Sequence, residues 1–93
     1  MLNEIYRKIQ NEKSQSINLL KDIVNIESFS GSKSNVDNLS KFLSEKCETL
    51  GGKNKFYPQK DFGDNFTSDF YSGDETVVIL CHMDTVWPIG TLQ

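Results

Sequence analysis

The segment Thr76-Val77-Val78-Ile79-Leu80 constrains the fold of this chain more than any other, because it is uncharged, rich in β-branched residues and apolar on both alternating faces. A strand with one face in water alternates apolar with polar residues, whereas a strand covered by helices on both sides does not. The run therefore predicts a parallel central strand over Val77 to Leu80, inside an α/β layer with a mixed sheet. In open α/β sheets the ligand crevice lies at the carboxyl ends of the strands. The residues that follow, Cys81-His82-Met83-Asp84, are therefore the first place to look for chemistry.

Two helical regions precede that run. From Leu2 to Ile26, Ile5 and Ile9 stand one turn apart, and Ile17, Leu20 and Val24 form a stripe backed by Leu19 and Ile23. This pattern predicts helix, with the Ile17 to Ile26 half packed against the core. The polar stretch Asn11 to Ser16 is either a solvated turn of one helix or a break at which Ser16 caps a second, and periodicity leaves both open. After the small-residue loop Glu27 to Lys33, Ser34 is a candidate N-cap. Val36, Leu39, Leu43, Cys47 and Leu50 then recur at three- and four-residue steps until Gly51-Gly52, which predicts a helix ended by a left-handed glycine.

Beyond the glycines, Lys53 to Gln59 alternates weakly and contains Pro58, which suits an edge strand. Asp61-Phe62-Gly63-Asp64 and Ser72-Gly73-Asp74-Glu75 read as turns on either side of a short strand from Asn65 to Tyr71. Phe56, Phe62, Phe66 and Phe70 are expected in the core.

Composition removes several function classes. The 93 residues carry a formal net charge of −3, with the lysines interspersed among acidic residues. The basic stripe on which nucleic-acid binding depends is absent, so no nucleic acid is expected as a partner. No run of about 18 apolar residues occurs, and the N-terminus lacks a basic start followed by an apolar core. No membrane association and a cytoplasmic location are therefore expected. Cys47 and Cys81 are far apart in sequence and are read as two reduced thiols.

His82 and Asp84 are two positions apart, so on a strand they project to one side, with Cys81 and Met83 on the other. A histidine ligates metal through one ring nitrogen, while a carboxylate or carbonyl on the other nitrogen fixes its tautomer and orientation. His82 is the only histidine, so Ser28 and Ser30 have no second histidine to activate either as a nucleophile.

The longer string Val77-Val78-Ile79-Leu80-Cys81-His82-Met83-Asp84-Thr85-Val86-Trp87-Pro88-Ile89-Gly90-Thr91-Leu92 closely resembles the signature of the co-catalytic zinc amidohydrolase and exopeptidase family. That family includes glutamate carboxypeptidases, aminoacylases, acetylornithine deacetylase and succinyl-diaminopimelate desuccinylase. Leu19 to Ser28 followed by Ser30-Gly31 is similar to the family's first helix and exit loop. Gly63-Asp64-Asn65-Phe66 resembles the stretch before its second strand, and Pro88-Ile89-Gly90-Thr91 looks most like the glutamate carboxypeptidase branch.

The resemblance implies that residues 1–93 are the N-terminal portion of a three-layer zinc-exopeptidase catalytic domain, two helices followed by a mixed sheet, with the lid and dimerisation domain absent. It implies His82 as the first zinc ligand and Asp84 as the catalytic-site aspartate that orients the imidazole without binding metal. Cys81 stands where the family usually has glycine or alanine. Two Zn2+ ions, further carboxylates, a glutamate general base and a second histidine are implied outside these residues. The expected reaction is hydrolysis of a peptide or N-acyl amino acid next to a free carboxylate, the chain alone being inactive. The rival expectation is an inactive remnant or a small module that dimerises or self-associates through an exposed sheet face.

Overall fold

The computed structural model describes residues 1–92. They form three helices and then two strands: α1 over Leu2–Asn11, α2 over Lys13–Asn25, α3 over Lys33–Thr49, β1 over Lys53–Tyr57 and β2 over Asn65–Asp69. The architecture is mixed α/β. The polar stretch contains a break, which falls at Glu12 and not at Ser16; Glu12, at φ −96° and ψ 7°, ends α1 and precedes α2. The region before α3 is thus two helices, giving three in all instead of two.

α3 starts one residue before the expected cap. Its N-cap is Ser32, whose hydroxyl donates to the side-chain oxygen of Asn35 at 2.8 Å and makes no bond to the helix amides. The C-terminus closes as Gly51-Gly52 requires. Gly51 takes φ +94°, its amide donates to the carbonyl of Glu48 at 3.0 Å, and the Gly52 amide donates to that of Cys47 at 2.8 Å. These are the paired bonds of a glycine-terminated helix that satisfy the last orphan carbonyls.

The small core lies between α3 and the hairpin. Val36 and Leu39 are the buried apolar residues, and Ser40 and Ser44 are buried beside them. Leu43 and Cys47 are half-buried, while Leu50, placed at the end of the apolar stripe by periodicity, is exposed. The buried face is therefore rotated towards the serines, whose small size lets the hairpin approach. Asn54 Nδ2 donates to the Ser44 carbonyl at 2.8 Å across this contact. β1 and β2 pair antiparallel with Lys53 opposite Asp69 and Phe56 opposite Phe66; the two rings stand 5.6 Å apart, within the range of a favourable aromatic pair.

The turn between the strands is latched to α3 by charge. Lys33 Nζ lies 3.0 Å from Asp37 Oδ2 and 2.6 Å from Asp64 Oδ1, and the Asp64 amide donates to Asp37 Oδ1 at 2.8 Å. The hydrogen bonds to Asp64 and Asp37 raise the Lys33 pKa, and the Lys33 bond lowers that of Asp64. A depressed carboxylate stabilises the fold above its ordinary pKa and loses that contribution as pH falls through the lowered value; the lysine contribution is lost only as pH rises through its raised one. In thermal melts across acid pH, the stability gap between the wild type and Asp64→Asn should therefore be widest above the ordinary carboxylate range and narrow as pH falls below it. A gap constant with pH would show that the latch is not ionic.

Three expectations are overturned. Val77 to Leu80 is not a strand: it is 75–92% exposed and makes no ladder among the described residues. The sheet is thus a two-stranded antiparallel pair and not a mixed sheet. β-Propensity reflects fit to a pleated neighbour, and among the described residues no strand pairs with the run. The Phe set is only partly core, since Phe56, Phe62 and Phe70 are 47–66% exposed. The Ile17 to Ile26 half is also poorly packed. Ile17, Leu20 and Val24 are exposed and only Ile23 and Ile26 are half-buried, because among the described residues no element lies opposite that stripe. No helix described is long and apolar enough to cross a membrane.

Candidate metal-ligand arm

The segment carrying His82 is held by the loop that leaves α2. Phe29 and Thr85 form an isolated parallel bridge, in which the Thr85 amide donates to the Ser28 carbonyl at 2.8 Å and the Ser30 amide donates to the Thr85 carbonyl at 2.9 Å. Side chains reinforce it. The hydroxyl of Ser28, itself 4% exposed, donates to the Met83 carbonyl at 3.0 Å, and the Gly90 amide donates to Glu27 Oε1 at 2.6 Å. Residues 83–90 are thereby fixed to the end of α2 although they belong to no regular element.

On this support His82 and Asp84 come together. His82 Nδ1 lies 3.0 Å from the Asp84 carbonyl oxygen and 3.4 Å from its Oδ1. Both neighbours are acceptors, so in the neutral ring Nδ1 carries the proton and Nε2 presents its lone pair. The imidazole is 87% exposed, which leaves Nε2 free to meet a ligand. The other carboxylate oxygen, Asp84 Oδ2, accepts a 2.6 Å hydrogen bond from Ser30 Oγ. That bond is the main cause holding the Asp84 pKa below the usual carboxylate range, with its own amide and His82 adding to it against partial desolvation.

Ser30, Asp84, His82, Cys81 and Met83 line a cleft of about 250 Å³ whose far wall is Val36, Phe62, Gly63, Asp64 and Asn65. Without a ladder the segment is not a regular pleat, so the strand alternation expected to turn Cys81 and Met83 away from His82 does not apply, and all four residues line one cleft. Cys81 is a free, exposed thiol and Cys47 a free, half-buried one. A larger cleft of about 480 Å³ is walled mainly by Ile23, Val24, Ile26, Trp87, Pro88 and Leu92. Ser28, Thr85 and Thr91 also line it, but the Ser28 and Thr91 hydroxyls donate to the Met83 and Pro88 carbonyls and its one charged group, Glu27, accepts from Gly90, so the smaller cleft, which holds His82 and Asp84, is the candidate site.

The donor chemistry fits one arm of a zinc site: a neutral imidazole with an acceptor behind Nδ1 and an open Nε2. Zinc takes about three or four protein donors, and among the described residues no group of three His, Cys, Asp or Glu is placed to hold a metal. Sequence reasoning paired His82 with Asp84 but gave Ser28 and Ser30 no anchoring role, weighing them as nucleophiles and as part of the loop that leaves the first helical region. The available signal was their spacing of two, which suits a short extended segment able to pair with another. No family model, no curated protein and no solved structure matches this chain.

Proposed function

We propose that this chain contributes His82, oriented by Asp84, as one ligand of a zinc-dependent exopeptidase or amidohydrolase site of the family its sequence resembles, nearest the glutamate carboxypeptidase branch. The observation that carries the reading is the division of labour on the imidazole, with Nδ1 engaged by Asp84 at 3.0 and 3.4 Å and the ring exposed beyond it. The remaining donors, including a second zinc's ligands and a glutamate general base, are supplied by polypeptide other than these residues, which on this reading form the N-terminal portion of a cytoplasmic enzyme's catalytic domain.

Bound zinc supplies polarisation of a scissile carbonyl and water made acidic enough to react at neutral pH. His82 would offer its exposed Nε2 to the metal, Asp84 would fix the tautomer through the acceptors it sets against Nδ1, and Ser30 holds the Asp84 carboxylate. The substrates on this reading are small peptides or N-acyl amino acids with a free carboxylate beside the amide. The test is hydrolysis of a panel of such compounds by the longest expressed form of the protein, with zinc and after chelation. Cleavage should require zinc and fall by about 100-fold or more in His82→Ala, beyond what loss of an orienting partner alone typically costs. Turnover indifferent to zinc, or retained in His82→Ala, would contradict the proposal.

A second reading rests on a different observation. Val77, Val78, Ile79 and Leu80 are consecutive and each at least 75% exposed. An exposed apolar, β-branched segment with an unpaired backbone can pair as a strand with another chain. On this reading the chain is a self-associating module with no activity of its own.

A further inference from the structure

We propose that Ser30 is a positioning residue for the His82–Asp84 pair: its hydroxyl fixes the rotation of the Asp84 carboxylate, and through it the tautomer of His82. The proposal rests on the reading of His82 as a ligand and adds a residue that neither the spacing of the motif nor the exposure of the imidazole identifies.

The geometry separates this role from simple bracing. Ser30 Oγ has two acceptors within reach, Asp84 Oδ2 at 2.6 Å and the Thr85 carbonyl at 2.9 Å. A hydroxyl has one proton to give, and the shorter distance, within the range of charge-assisted O–H···O⁻ bonds, assigns it to the carboxylate. The backbone bridge does not need that hydroxyl. The Ser30 amide already donates to the Thr85 carbonyl, the Thr85 amide to Ser28, and Ser28 Oγ to Met83.

The Ser30 hydroxyl acts instead on a torsion that is otherwise loose. The carboxylate rotation of an aspartate is broad and roughly two-fold. With Oδ2 pinned by Ser30, planarity turns Oδ1 towards the ring, where it stands 3.4 Å from Nδ1. Released, the carboxylate samples orientations in which the Asp84 carbonyl, the nearer acceptor at 3.0 Å, alone faces Nδ1, so the proton on that nitrogen loses the second of its two acceptors.

The test reads the tautomer of His82 in the full chain from its ring 15N shifts, at a pH where the imidazole is neutral. In Ser30→Ala the ratio of Nδ1–H to Nε2–H should drop by about three-fold or more, the scale of one modest hydrogen bond. Ser30→Thr, which keeps the hydroxyl, should restore it. Ser30→Cys, close in volume but a weak donor, gives the same reading should the alanine variant fail to fold. Asp84→Asn should abolish the effect, so that Ser30→Ala in that background changes nothing further, because residues acting through one another are not additive.

An unchanged tautomer in the alanine and cysteine variants, no recovery in Ser30→Thr, or additive effects with Asp84→Asn would overturn the proposal. The parent reading fails separately. If zinc binding persists in His82→Ala, His82 is no ligand, whatever the tautomer of the Ser30 variants.

Discussion

Gly63→Ala should lower the melting temperature of this chain by on the order of 10–20 °C, which a thermal scan followed by circular dichroism would measure. A Cβ at Gly63 would stand 2.2 Å from Val36 Cγ1 and 2.6 Å from Val36 Cβ. Val36 is one of the two buried apolar residues that join α3 to the hairpin. Neither side can yield easily, since Val36 is β-branched and sits in a helix, while Gly63 belongs to the turn that Lys33 and Asp37 latch through Asp64. Forcing extra volume into such a contact costs about 1–3 kcal/mol, and in a domain of this size each kcal/mol shifts melting by about 4–8 °C.

Gly63 does not have a positive φ, so the substitution tests packing and not backbone strain. Gly31→Ala is the natural comparison: its Cβ would meet Phe29 Cε2 at 2.7 Å, the edge of a ring that can turn aside, and the loss should be several-fold smaller. Equal, small losses at both positions would mean that the turn is not seated on α3.

On the reading of the chain as a self-associating module, Ile79→Asp should leave it a monomer in sedimentation where the wild type associates, without changing its melting temperature appreciably. The residue is 82% exposed, and its neighbours Val78 and Leu80 are 75% and 92% exposed, so the substitution removes no internal contact and belongs with surface changes of within about 0.5 kcal/mol. Its effect on association should be large. A charge set into the apolar run must be desolvated in any strand pairing, the device by which natural sheet edges are protected. Should Ile79→Asp destabilise the monomer instead, the run would be packed internally and not presented for pairing.

What could be read in the sequence divides along the range of the interactions. α3 and its end were legible because the apolar recurrence from Val36 to Cys47 and the left-handed turn at Gly51 act within a few residues of one another. The closeness of His82 to Asp84 was legible because two positions of spacing leave little room for any other outcome. The break at Glu12 was not, since the polar residues around it carry no proline, glycine or capping side-chain bond to mark it.

The fate of Val77 to Leu80 was misread for a related reason. Its residues state a preference for a buried strand, but strands are completed by neighbours, and none of the described residues pairs with it. The Ser30–Asp84 bond joins positions 54 residues apart, and no local pattern announces such a contact. The buried face of α3 was legible only in part, because the serines that let the hairpin approach, Ser40 and Ser44, look like solvent positions in a hydrophobicity pattern.

The division of labour on one imidazole is the central claim, and a zinc titration of the full chain followed through the ring 15N resonances of His82 tests it most directly. The account predicts weak, saturable binding in which Nε2 shifts as the ligating nitrogen while Nδ1 keeps its proton, with the response lost in His82→Ala. Coordination through Nδ1, tight binding that survives His82→Ala, or a ring that does not respond to zinc would contradict it.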